Sequence, residues 1–157
     1  MNTRSVDDNW MFDDVESSDK KLILSHDKLA SNDIWRKVIS AKNTHPMKLE
    51  DDDWTTRAVN WLGYGNWMDE WNSDNAELPN DLARALLWDE TDVVLMLYDN
   101  SDVIQTEWHV FKRNWKCFLY EDEGPILYNM ANNQFAQFNP IGSFRHGANL
   151  SLKGSAL

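Results

Sequence analysis

Residues 93–106, "VVLMLYDNSDVIQT", decide how the chain is to be folded. Val93 to Tyr98 are continuously apolar and open on β-branched residues, which suits a strand covered on both faces. Asp99-Asn100-Ser101-Asp102 reads as a turn, and Val103–Thr106 as the strand that returns from it. Downstream, "EWHVFKRNWKCFL" (107–119) is ambiguous. Trp108, Phe111, Trp115 and Phe118 keep a helical stripe, while alternation fails after Val110. The spacing predicts a helix over 106–114 and a strand over 116–120. "YEDEGP" (120–125) is a turn, and "ILYNM" (126–130) and "QFAQF" (134–138) are strands on either side of "ANN".

Upstream the texture is helical. In "SNDIWRKVISAKN" (31–43), Ser31 is a candidate N-cap, and Ile34, Trp35, Val38 and Ile39 form one apolar stripe. In "LEDDDWTTRAVNWLGYG" (49–65), the acids suit a first helical turn, Trp54, Ala58, Trp61 and Leu62 share a face, and Gly63 and Gly65 stop the helix. "LPNDLARALLW" (78–88) predicts a third helix, with Pro79 at its first position and Leu82, Ala85 and Leu86 buried. Helices first and strands later predict an α+β fold, with N-terminal helices packed on one face of a mainly antiparallel C-terminal sheet. The four prolines are scattered singly, no repeat appears, and residues 1–157 are read as one domain with loose ends at 1–9 and 151–157.

Nine tryptophans in 157 residues argue for a folded chain, because disordered chains lack such residues. Cys117 is the sole cysteine, so neither an intramolecular disulfide nor a cysteine zinc cluster is available, and it reads as a small core residue. The N-terminus carries no apolar run of signal-peptide type, and no apolar stretch is long enough to span a membrane as a helix. A cytoplasmic protein is expected. The formal charge of −11 is uneven: residues 1–53 carry −4, residues 54–106 carry −8, and residues 107–157 carry +1. Such a charge repels phosphates and anionic lipid, so neither nucleic acid nor membrane is an expected partner. A basic protein is the partner that the charge suits, against the plainer reading that acidity keeps the chain soluble.

Motifs for chemistry are sparse. The four histidines, His26, His45, His109 and His146, lack metal-ligand spacing, and "EDDD" (50–53) lacks the alternating ligands of a calcium loop, so no metal and no cofactor is expected. "GYG" (63–65) follows a helix and is not a phosphate cradle. "IGSFRHG" (141–147) is the most enzyme-like patch, because a Ser143–His146 pair beside Arg145 would be able to activate a hydroxyl. The pattern of a nucleophile elbow is missing, and a polar loop closing the sheet is the competing reading. Asp69 and Glu70 lie between Trp67 and Trp71, but adjacent helical residues diverge and cannot flank one glycosidic bond. Trp67 and Trp71 share a face if helical. With Asp69, Glu70 and Asp74 as a charged rim they have the composition of a docking site, or they seal the helical layer.

The stretches "ELPNDLARALLW", "TEWHVFKRNWKCFLYEDEGPILYN" and "FNPIGSFRHG" resemble an uncharacterised family of short acidic bacterial cytosolic proteins, a domain of unknown function. That resemblance implies no assigned activity. A fainter likeness is to the SUKH immunity superfamily, where an L-P-x-x-apolar helix start is common, as at Leu78, Pro79 and Leu82 here. The Gly-rich turn expected after that helix is replaced by "WDETD" (88–92). The leading expectation is a non-enzymatic binding module with an acidic helical face, of which an immunity-type inhibitor is one version. A small enzyme or small-molecule binder using residues 142–147 is the second reading, and a homodimer through exposed tryptophans the third.

Overall fold

The computed structural model describes residues 3–149. Residues 151–157, expected to be loose, lie outside the described residues. At its centre is one eight-stranded antiparallel sheet. Its strands are β1 (Thr3–Ser5), β2 (Leu24–His26), β3 (Trp61–Asn66), β4 (Val93–Asp99), β5 (Asp102–Glu107), β6 (Ile126–Asn129), β7 (Gln134–Phe138) and β8 (Ser143–Ala148), in the spatial order β1-β2-β5-β4-β6-β7-β8-β3. Among the described residues five α-helices accompany it: α1 (Ser17–Lys20), α2 (Lys28–Val38), α3 (Met68–Trp71), α4 (Asn80–Ala85) and α5 (Trp108–Phe118). The fold is α+β, as the sequence predicts.

β4 sits in the middle because both its faces are apolar. Val94, Met96 and Tyr98 enter one core, while Leu95 and Leu97 enter the other. The Asp99–Asp102 turn folds β5 back on β4, and β6 pairs with the opposite edge of β4. α5 therefore has to cross over β4 to join β5 to β6. Its stripe of Trp108, Phe111, Trp115 and Phe118 is buried beneath that crossing. The helix runs on to Phe118, into the stretch predicted as a strand at 116–120. Trp115 and Phe118 extend the helical stripe, and that periodicity wins. The interruption is a kink at Asn114 (φ −127, ψ 19), whose side-chain amide donates to the Val110 carbonyl and to Asp19 Oδ2, each at 2.9 Å.

The helices do not keep to one face. α5, α4 and the turn at Trp10–Phe12 cover the face of Val94 and Met96. The other face carries Trp35 and Ile39 near α2, together with Trp54, Trp61, Tyr128 and Phe135. α2 starts before Ser31, because the Asp27 carboxylate caps it by accepting the Ala30 N–H at 2.8 Å. Ser31 is instead buried and bonds the His26 carbonyl at 3.3 Å.

The helix predicted over 49–65 is replaced by two 3-10 turns, Trp54–Thr56 and Ala58–Asn60, followed by β3. Asp53 does not serve a helix dipole. It ties the loop by accepting from Asn43 Nδ2 at 2.7 Å and from the Glu50 N–H at 2.8 Å. Trp54 and Trp61 are buried as expected, and their indole N–H groups donate to the Val38 and Thr55 carbonyls, both at 2.8 Å. Leu62 is exposed, so the helical stripe it was to complete does not exist. Gly63 and Gly65 act within a strand. A Cβ at Gly63 would lie 2.6 Å from the His146 ring and one at Gly65 would lie 2.4 Å from the Phe144 ring, so bare backbone lets both rings lie across β3. At the opposite edge, residues 3–5 pair with β2 and are part of the sheet.

Candidate functional site

Antiparallel pairing brings three connections to one end of the sheet. The C-terminus of β4 lies beside the N-terminus of β6, and the register Ile126↔Gln137 sets the end of β7 there too. The Asp99–Asp102 turn, the 120–125 loop and the 139–142 turn therefore share that end with the end of β3, and Pro46 and Met47 lie beside Gly124 of the loop. Two clefts of about 420 Å³ each open among them.

The first is acidic. Asp99, Glu121, Asp122 and Glu123 line it with Tyr98 and Tyr120. His45 is the basic side chain in its wall, and it reaches Glu123 at 3.5 Å. Tyr98 is buried and donates its hydroxyl to the Phe118 carbonyl at 2.6 Å, which fixes this end of β4 against α5. Asp102 does not line the cleft but lies close enough to Glu121 and Asp99 to feel their charge. Burial, with Glu121 and Asp99 adding like charge, raises its pKa to about 6. Glu121 is also raised, by burial and by the charges of Asp99 and Glu123.

The second cleft lies over β7, β8 and β3. Its floor is Arg145, held from two sides. The guanidinium carbon sits 3.8 Å from the centroid of the Trp61 ring, a cation–π stack. Arg145 Nε and Nη2 donate to Gln137 Oε1 at 3.0 and 2.6 Å. Gln137 is fixed in turn, because its amide donates to the Gly124 carbonyl at 3.1 Å. Tyr64 is register partner to Arg145 on β3, and its ring stands mostly in solvent. Pro46, Met47 and Gly124 form the wall away from β3. Among the described residues no carboxylate lies within 4 Å of this guanidinium. Burial lowers its pKa from the ordinary arginine value.

Residues 141–147 prove to be a turn entering a strand, and that geometry divides the enzyme-like patch. Ser143 and Arg145 line the second cleft. His146 points to the opposite face, against Gly63 and with its ring 6.2 Å from that of Phe144. Ser143 and His146 thus make no nucleophile–base pair. Burial lowers the His146 pKa, in keeping with a ring packed between strands.

The docking residues are also divided. Trp67 is 1% exposed. Its indole N–H donates to the carbonyls of Asn139 and Ser143 at 3.1 and 3.0 Å, so the ring clamps the β7–β8 turn and offers no surface. Trp71 is half-buried, edge-on to Tyr120 at 6.1 Å. Glu70 accepts from Asn75 Nδ2 at 3.2 Å within its own loop, while Asp69 and Asp74 are exposed. The expected rim exists without the central ring it was to surround.

A family model described as "Protein of unknown function (DUF2947)" matches residues 3–147. The chain belongs to the DUF2947 family. Comparison with curated proteins and with solved structures finds no match in either. Among the described residues of this DUF2947 protein, no helix is long and apolar enough to cross a membrane. Nor does any group of three or more His, Cys, Asp or Glu side chains there take an arrangement that would hold a metal ion.

Sequence reasoning missed Gln137, Tyr64 and the Asp99–Asp102–Glu121 group in this DUF2947 chain. The signal for the acidic group was present. "DNSD" and "YEDEGP" were both read as turns, and pairing β4 with β6 places the two turns together. Gln137 carried no such signal, because only the register Gln137↔Arg145 gives it meaning.

Proposed function

We propose that this chain is a protein-binding module that takes a basic segment of its partner into the acidic cleft between the 99–102 turn and the 120–125 loop. The single observation that carries the reading is the gathering of Asp99, Glu121, Asp122 and Glu123 in one cleft, with Asp102 near enough that burial and the charges of Glu121 and Asp99 raise its pKa to about 6. Like charges held together cost folding free energy, and an arrangement of that kind in a cleft is a mark of a site. A lysine or arginine entering there removes the repulsion. Tyr98 and Tyr120 supply aromatic walls for its aliphatic stem. This keeps the acidic face inferred from composition and moves it from α3 to the end of the sheet. An inhibitor of a basic toxin is the concrete version that the SUKH likeness suggests.

The test is titration of the full chain with a hexalysine peptide at low and raised salt. Affinity should fall as salt rises, because exposed charges are screened. It should be lost in the Asp99→Asn, Asp102→Asn, Glu121→Gln triple variant and kept in Asp69→Asn, Asp74→Asn. Loss in the second variant with retention in the first would return the site to α3. Equal binding by all three proteins would leave the acidity as a solubility device.

A further inference from the structure

Arg145 is the other charge at this end of the sheet, and nothing in the acidic reading uses it. A guanidinium has five N–H donors. Gln137 Oε1 takes two of them, on Nε and Nη2. The remaining Nη2 hydrogen and both on Nη1 have no partner among the described residues. The charge is half-buried, and in a chain of net −11 it lies within 4 Å of no described carboxylate. A fold with 26 acids would be able to neutralise it cheaply. A neutral amide at Gln137 stands where a glutamate would do so. Trp61 and Gln137 hold the group in one orientation without cancelling its charge, which is how a site for an incoming anion is kept ready.

We propose that the Arg145 cleft binds a small organic anion, its carboxylate or phosphate bonded by the outer edge of the guanidinium and its ring lying against Tyr64, Met47 and Pro46. The ligand class follows from what lines the cleft. The fork geometry of arginine matches a planar carboxylate or a phosphate. The cleft of about 420 Å³ admits one ring with its anionic group. Gln137 is a positioning residue. It orients Arg145 and is itself anchored to Gly124.

The experiment titrates the full chain with benzoate, phenyl phosphate and the neutral benzyl alcohol, following the Arg145 Nε–H and Trp61 Nε1–H resonances. Saturable shifts with benzoate, phenyl phosphate or both support the site, and the stronger of the two identifies the anion. Equal shifts with benzyl alcohol, or none with either anion, overturn it. Gln137→Glu supplies the missing counter-ion inside the fold. It should weaken anion binding about tenfold or more, or roughly 1.4 kcal/mol, in a chain whose spectrum stays that of a folded protein, although the amide's hydrogen bond to the Gly124 carbonyl is lost. Unchanged binding in that variant would also overturn the proposal. Arg145→Lys keeps the charge and loses the fork, so it should bind more weakly than the parent while its spectrum stays that of a folded chain. None of these outcomes depends on hexalysine binding, so this proposal and the acidic cleft stand or fall separately.

Discussion

The two clefts at one end of the sheet are built from the same wall and hold opposite charges. His45, Glu123 and Pro125 line the acidic one, while Pro46, Met47 and Gly124 line the other. On one side carboxylates gather, and burial together with the charges of Glu121 and Asp99 makes Asp102 hard to ionise. On the other a guanidinium is braced by an indole and an amide and left without a carboxylate among the described residues. Elsewhere the fold pairs such groups. Arg113 binds Asp19 through Nε at 3.1 Å and Nη2 at 2.5 Å, and holds that carboxyl below its usual range. The contrast teaches that charge separation at the sheet end is a local construction. Opposite charges are kept apart across a strip a few residues wide, where pairing would be the stable choice.

The harshest way to break the comparison is to remove the ring that carries the floor of one cleft. Trp61 is buried, stacks on Trp54 with ring centroids 5.6 Å apart, and carries Arg145 on its face. Trp61→Ala should cost about 3–5 kcal/mol, the range for a large aromatic truncated in a core, read as a fall in the urea midpoint. If the chain stays folded, the Asp102 titration should be unmoved, because the acidic cleft has its own supports. A change in both clefts would mean that they are not independent.

The shared wall gives a smaller effect on both. Gly124 has φ +77, and an added Cβ would lie 2.9 Å from Met47 Sδ and 3.3 Å from Pro46 Cβ. Gly124→Ala should cost about 1–2 kcal/mol for the left-handed backbone alone. It should also push the 46–47 segment outward and perturb resonances on both sides of the strip. Perturbation confined to one cleft would show that the wall belongs to that cleft alone.

How much of this was legible depended on whether a signal was local. β4, β6 and β7 were visible because apolar runs between turn residues need nothing else to be read. β2 was not, since Leu24-Ser25-His26 has no alternation and is a strand only because β1 and β5 flank it. The stretch 49–65 misled because its tryptophans fall at helical spacing, while the facts that decide it are distant: Asp53 bonding Asn43, and rings from β8 crossing Gly63 and Gly65. Trp67 was misplaced for the same reason. Its neighbours Asp69 and Glu70 suggest a surface, but its indole partners lie on Asn139 and Ser143, far along the chain. Arg145 was singled out for company with Ser143 and His146. Only Ser143 shares its side of the strand, and its real partners, Trp61 and Gln137, are set by register.

The mildest test acts on the acidic side through pH. The Asp102 pKa rises from 3.8 to about 6 through burial and the nearby charges of Glu121 and Asp99. An acid raised in this way holds its proton in the folded state over a range where the unfolded chain has lost it. Stability from this group is therefore complete below about pH 4, falls as pH rises to about 6, and stays low above that. Its carboxylate donates and accepts no side-chain hydrogen bond among the described residues, so an amide has nothing to break. Asp102→Asn should leave stability unchanged near pH 3.5 and raise it by about 1 kcal/mol at pH 7.5. The full shift would correspond to roughly 3 kcal/mol at 1.36 kcal/mol per unit, reduced here because water reaches the group. Asp19 and Asp81, lowered by their own partners, run in the opposite direction but cancel when variant and parent are compared at each pH. Urea denaturation of both proteins across pH 3.5–7.5 reads the difference directly. A gap that does not widen between pH 4 and 6 would mean that neither burial nor the charges of Glu121 and Asp99 raise Asp102, and the opposition between the clefts would reduce to an unpaired arginine alone.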